Sequence, residues 1–167
     1  MVIGSSSSGD VKVIDVSNLA APVEVAFYRI AGAGAHNFRM DEKRQILYAA
    51  MYNAGIVALD VSGTLQGDLV SRELARKRTS GGSTYTWGVM LSAGRLYAID
   101  LVWGIIQLDP VTLNPLAYTE SNERWHTDMW VRENYAYTGT WGAVLAKAIE
   151  EIASRCGSSR RTVPRPW

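Results

Sequence analysis

The chain has 167 residues, 47% apolar and 20% charged, a composition that supports one domain with a real core and excludes a mainly disordered protein. The net charge of +1 is uneven: from Arg155 onward there are four Arg and no acid, so residues 1 to 154 carry 13 basic and 16 acidic side chains, and nothing in the body suggests a polyanion partner such as nucleic acid. A single cysteine, Cys156, excludes an intramolecular disulfide, and no window is long and apolar enough to span a membrane.

The N-terminal stretch MVIGSSSSGD lacks the basic and long apolar regions of a signal peptide, so the chain as written is expected to be soluble and not exported by that route. Its Gly/Ser run has no Lys-Ser/Thr ending and no helix after it, which favours a loop between strands over a phosphate loop. Val11, Val13, Ile14 and Val16 make a β-branched run, Asn18 to Pro22 a turn, and Val23, Val25, Phe27 and Ile30 a further strand. Residues 31 to 79 then read as four short strands, at His36 to Met40, Ile46 to Tyr52, Gly55 to Val61 and Leu69 to Ala75. Residues 84 to 120 repeat the unit at Thr86 to Leu91, Leu96 to Val102, Gly104 to Leu108 and Pro115 to Thr119. A last unit starts with HTDMWVR and runs through Tyr135 to Trp141. Apolar runs of this length, without 3.6-residue periodicity, predict antiparallel sheets of a propeller rather than a helical solenoid.

The units are related by an internal repeat. Tyr48 and Ala49 stand seven and six residues before Gly55, Tyr97 and Ala98 likewise before Gly104, and Tyr135 and Ala136 before Gly142. Asp15, Asp60 and Asp109 close third strands at intervals of 45 and 49 residues. The glycines mark tight turns where φ > 0 is needed. The Asp side chains are expected to cap backbone N–H groups of the following turn, and the tyrosines to pack between neighbouring sheets. After Gly142 the pattern stops. Residues 143 to 155 are rich in helix formers, with Leu145, Ile149 and Ile152 on one face, and predict a short amphipathic helix. Residues 156 to 167 predict a disordered basic tail.

The segments VKVIDVSNLAAPVEVAFY, AHNFRMDEKRQILYAAMYNAGIVALDVSG and HTDMWVRENYAYTGTWG resemble the LVIVD-repeat family. The resemblance covers about residues 2 to 142. It implies a β-propeller and a parent protein that is often exported or at the cell surface, and it assigns no general activity. The expected architecture is all-β, a partial propeller of about three blades: a partial blade at 1–30, blades at 31–79 and 80–120, a partial blade at 121–142, then the helix and the tail. Because the chain opens and closes inside a blade, a fragment of a longer protein is expected.

Two histidines exist, His36 and His126, both at the start of a first strand, and Asp128 follows His126 by two residues. First strands of a propeller line its channel, so both could approach one axis, with Trp87 at the equivalent place in the unit between. Two imidazoles and a carboxylate could ligate a metal in the channel, but with Trp87 at the equivalent place in the unit between, buried, hydrogen-bonded histidines are favoured; no cofactor is expected. There is no nucleophile elbow, and Cys156 has no His or acid near it in sequence. The tryptophans suggest sheet packing more than a carbohydrate platform, since Trp103 and Trp141 both precede a repeat glycine. The leading expectation is a non-enzymatic scaffold binding an unknown protein or small ligand through His36, Trp87, His126 and Asp128. The alternative is a metal-dependent enzyme or hydrolase at the channel near His36 and His126. Pairing of the last unit with residues 11 to 30 would make three blades, and a homodimer would close a six-bladed ring.

Overall fold

The structure, a computed structural model, describes residues 9–79, 82–119, 126–140 and 143–148. Met1 to Ser8, Trp125, Trp141, Gly142, the part of the expected helix beyond residue 148, and the expected tail with Cys156 lie outside the described residues. The described chain is all-β, with one 3-10 turn. In order, β1 is Val11–Asp15, β2 Val23–Tyr28, β3 Phe38–Asp41, β4 Ile46–Ala50, β5 Ile56–Asp60, β6 Gly67–Asp68, β7 Glu73–Lys77, β8 Thr86–Ser92, β9 Arg95–Asp100, β10 Gly104–Leu108, β11 Pro115–Tyr118, β12 His126–Arg132, β13 Tyr135–Thr140 and β14 Ala143–Ala148.

These strands form four sheets: β1-β2-β6, β3-β4-β5-β7, β8-β9-β10-β11 and β12-β13-β14. All pairings are antiparallel except that of β2 with the two-residue β6, which joins the first sheet from within the second unit. Packing between sheets produces three apolar cores. Val11, Ala26 and Tyr28 of the first sheet meet Ala49, Met51, Val57 and Leu59 of the second. Tyr48, Ile56 and Ala58 of the second meet Val89, Leu96, Ile106 and Leu108 of the third. Tyr97, Ile99 and Ile105 of the third meet Met129, Val131 and Ala136 of the fourth. Alternation along each strand therefore gives every sheet a forward face toward the next sheet and a rear face toward the one before.

Local chemistry explains the repeated positions. Gly55 has φ +88° and Gly104 φ +80°; a Cβ on Gly55 would lie 2.2 Å from the Lys77 carbonyl oxygen, so this turn requires glycine for both conformation and space. Asp15 Oδ1 accepts the Ser17 N–H at 2.8 Å, Asp60 Oδ1 the Ser62 N–H at 2.8 Å, and Asp109 Oδ1 the N–H groups of Val111 and Thr112 at 2.9 and 2.7 Å. Donors of the turn hold all three carboxyls below the usual range, the Ser62 side chain first and then its backbone N–H at Asp60, and the backbone N–H groups first at Asp15 and Asp109, as expected when an anion accepts hydrogen bonds.

Three expectations are corrected. Residues 143 to 148 form a strand, not the start of a helix: β14 pairs with β13 from Tyr135↔Ala148 to Thr140↔Ala143. The free edge of β13 offers a backbone partner at each step, which outweighs helix preferences of a few tenths of a kcal/mol per residue. Consequently β13 is flanked by β12 and β14, and the last unit does not draw β1 in as its third strand. The strand expected at Leu69 to Ala75 begins only at Glu73, because Val70–Arg72 is a 3-10 turn. Asp68 Oδ1 accepts the Val70 N–H at 2.9 Å, and the Arg72 guanidinium donates to the carbonyls of Ser62 and Thr64 at 2.6 and 3.0 Å, pinning that turn. Finally, the residue matching Tyr48 and Tyr97 is Tyr137, not Tyr135. Counted from the hairpin pairs Asp41/Ile46, Ser92/Arg95 and Arg132/Tyr135, all three tyrosines lie two residues into their strands.

Candidate functional site

The innermost strands β3, β8 and β12 lie side by side, β8 packing against both others. At their junction is a groove of about 350 Å³, lined by residues 36–39 on one side, Val89 and Met90 in the middle, and residues 128–130 on the other. Cross-strand register places Asn37, Gly88 and Asp128 at one repeat position on three neighbouring strands. The missing side chain of Gly88 lets the outer two meet: Asn37 Nδ2 donates to Asp128 Oδ1 at 3.4 Å, and a Cβ on Gly88 would come within 3.6 Å of both atoms. Asp128 Oδ1 also accepts the Met129 N–H at 2.8 Å.

His36 and Trp87 share the preceding repeat position, and their rings are in contact at 3.8 Å between centroids. Tyr52 meets Trp87 edge-on at 6.2 Å and Tyr85 at 5.2 Å, so the imidazole is backed by an aromatic cluster. Burial pushes the His36 pKa below its usual value, against the Trp87 backbone, the Asn37 side chain and the Asp128 charge, which favour the proton. His36 is thus neutral at neutral pH, and its buried Nδ1 has no hydrogen-bond partner among the described residues. Arg39 and Asp128 are both exposed, and among the described residues neither is in an ion pair.

The sequence-derived site residues separate here. His36 and Asp128 line the groove and Trp87 supports it from behind. His126 is 1% exposed, does not line the groove, and falls one position upstream of His36, where the third sheet has Thr86. Counted back from the hairpins, His126 stands six residues before Arg132 and His36 five before Asp41, so the offset is present in the linear spacing. Among the described residues, no three His, Cys, Asp or Glu side chains are gathered as metal ligands.

Asn37 and Arg39 were missed in the sequence, and so was Asp100. The Asp100 carboxylate is fully buried and accepts Thr79 Oγ1 at 2.8 Å and the N–H groups of Tyr85, Val102 and Trp103 at 2.7, 2.9 and 3.2 Å. A charged residue ending the apolar run LYAI was the available signal. Its donors are mostly backbone groups of a turn, which places Asp100 in structure and not at the groove.

The family model of the LVIVD repeat matches residues 6–29 and 125–146. No curated protein matches the chain. Among solved structures, the computationally designed Ika4 protein is similar with a TM-score of 0.64 at 12% identity, over 87% of each chain. The computationally designed Ika8 protein gives 0.63 at 12% identity, over 87% of this chain and 44% of that one. The AfRom2 CNH domain gives 0.60 at 13% identity, over 90% of this chain and 47% of that one. The chain therefore spans less than half of the latter two. At such identities these likenesses speak for the fold alone. No helix among the described residues is long and apolar enough to cross a membrane. With the repeat matched in two places and the strands arrayed as successive antiparallel sheets, the chain carries LVIVD repeats in a β-propeller-like fold.

Proposed function

We propose that this repeat scaffold is a non-enzymatic binding module and that its ligand is a small zwitterion held in the inner groove. The observation that carries the reading is the pair of exposed, opposite charges with no ion-pair partner among the described residues, Arg39 and Asp128, in one groove of about 350 Å³. Small-ligand sites combine a few convergent polar groups with an apolar wall, and here Phe38, Val89 and Met90 supply that wall. A carboxylate on the ligand would pair with the Arg39 guanidinium in a fork geometry that suits it. An ammonium would pair with Asp128, whose position Asn37 steadies. Neutral His36 offers hydrogen bonding without adding charge, and Trp87 fixes its ring. His126 lies behind this face and serves its packing. The reading favours binding over the channel-mouth enzyme because the groove lining contains no Ser, Thr or Cys nucleophile beside the imidazole.

NMR titration with glycine, longer α-amino acids, acetate, methylammonium and glucose tests it. Zwitterions should shift the amides of residues 36–39 and 128–130, and Arg39→Ala and Asp128→Ala should each weaken binding roughly tenfold or more, as loss of a charged hydrogen bond does. No perturbation of these amides by any member of the panel at about 10 mM, where even millimolar affinities saturate, would remove the proposal.

A further inference from the structure

The groove lining includes one group whose charge changes near neutral pH, His36, and its surroundings are uneven. Of the two groove charges, Asp128 acts on the imidazole and favours its proton, whereas Arg39 does not act on it. Asn37 links the two ends of this coupling. Its side chain favours the His36 proton, and its Nδ2 donates to Asp128 Oδ1 at 3.4 Å. That bridge exists because Gly88 has no side chain, since a Cβ there would come within 3.6 Å of both polar atoms. The imidazole is therefore coupled to the Asp128 end of the groove and not to the Arg39 end.

The other titratable groups around His36 are committed elsewhere or stand further back. β8, which lays the Trp87 ring on the imidazole, contains no ionisable side chain. Tyr52 and Tyr85 are phenols behind Trp87. On β4, the Tyr48 hydroxyl accepts from Arg44 at 2.8 Å and donates to the Pro110 carbonyl at 2.7 Å. The segment at Gly9, whose carbonyl accepts the Ala35 N–H at 3.0 Å, leads to Asp10, which is paired with Arg29 at 2.6 Å. Asp100 is enclosed by Thr79 and three backbone donors. On β12, His126 is buried and outside the groove. Asp128 is thus the charge to which His36 answers, and it is also the partner of the ligand's ammonium.

We propose that the groove is regulated by a proton: the proton on His36 and the ammonium of a bound zwitterion compete for the Asp128 carboxylate, so that ligand is held at neutral pH and released as the groove acidifies. This rests on the zwitterion reading of the groove and adds its control. Two cations that share one carboxylate repel each other, and the coupling is reciprocal: the proton weakens the ligand by the same factor as the ligand weakens the proton. Because burial already depresses the His36 pKa, the switch acts below pH 6.5, and a ligand cation depresses it further. The Arg39 end lies outside the coupling, so an anion without an ammonium leaves the imidazole as it was. Asp128 is exposed, so solvent screens the effect to about fivefold, the low end of coupling between sites.

NMR on the full chain tests this. The His36 imidazole signal, identified by its contact with the Trp87 ring, is followed from about pH 8 to about pH 5, alone and with glycine, methylammonium or acetate at about 10 mM. Glycine and methylammonium should each lower the His36 midpoint, and acetate should leave it in place. Followed by the amides of residues 36–39 and 128–130, glycine should bind about fivefold more weakly at the acid end than at neutral pH. In His36→Gln that ratio should fall to about one, whatever the variant's affinity at neutral pH. The proposal is overturned, and the zwitterion reading left standing, by glycine that shifts the groove amides without moving the His36 midpoint, or that binds as tightly in acid. A midpoint raised by acetate also overturns it, because His36 then belongs to the Arg39 end. Groove amides that respond to none of the three ligands at neutral pH remove both the reading and its regulation.

Discussion

The third and fourth sheets share a strand plan and a hairpin geometry but differ in what surrounds them. Tyr97 is sealed between two sheets; Tyr137, at the same position, is open. The difference teaches that burial in a repeat array belongs to the junction and not to the residue, since identical chemistry at identical places has unequal energetic weight. The sharpest way to break this comparison is truncation of both rings. Tyr97→Ala should destabilise the fold by about 3–5 kcal/mol, the usual cost of deleting a buried aromatic side chain, whereas Tyr137→Ala in the monomeric state should cost under about 1 kcal/mol. Denaturant melts of the two variants measure it, and equal midpoints would show that the fourth sheet is covered in solution.

The third sheet also contains the buried Asp100. Asp100→Ala leaves the Thr79 hydroxyl and three backbone N–H groups without their acceptor, so a loss of about 2–4 kcal/mol is expected from urea unfolding. A smaller contrast comes from two glycines on the hairpins of these sheets. A Cβ on Gly88 would lie 2.9 Å from Ile99 Cγ2, and one on Gly139 would lie 3.1 Å from Thr127 Oγ1. Gly88→Ala should therefore cost about 1–2 kcal/mol by overpacking, and Gly139→Ala less, with thermal melts as the readout. Gly88→Ala should also loosen the Asn37–Asp128 contact, visible as a shift of the Asn37 side-chain amide resonances.

The smallest expected effect is on pH dependence. Burial holds the His36 pKa below its usual 6.5, so the unfolded chain takes up the proton first as the pH falls. Stability from this group is present above about pH 6.5 and is lost progressively as pH drops toward the folded value. Chemical denaturation of His36→Gln between pH 7 and 5 should show a shallower decline than wild type; parallel curves would mean that the imidazole is hydrated.

Much of the fold was legible in the sequence because the signals are local. Gly55 and Gly104 mark positive-φ turns, and Asp15, Asp60 and Asp109 mark self-capped turns, each decided within a few residues. What failed was decided across the sheet. Ala143 to Ala148 have helical preferences, and only the waiting edge of β13 makes them a strand. Tyr135 was aligned by its distance to Gly142, while the register follows the hairpin at Glu133, whose φ is +54°. The groove shows the same division. His36 and Asp128 stand out by residue type, but Asn37 and Arg39 matter only because β3, β8 and β12 bring distant stretches together, and His126 stands one residue further from its hairpin than His36 does.

The Asp100 arrangement has a kinetic meaning beyond its contribution to the equilibrium. Its carboxylate ties Thr79, ahead of the second sheet's last connection, to the turn at Val102 and Trp103 and to the Tyr85 backbone at the start of the third sheet. The connection leading into β8 therefore cannot swing away without exposing a buried charge's partners and opening the β9–β10 turn with it. In hydrogen-exchange language, the amides of Tyr85, Val102 and Trp103 belong to one cooperative unit that opens together. The described residues leading into β8 thus exchange with the slowness of a core strand, and a protease offered residues 82 to 85 meets the stability of the whole third sheet.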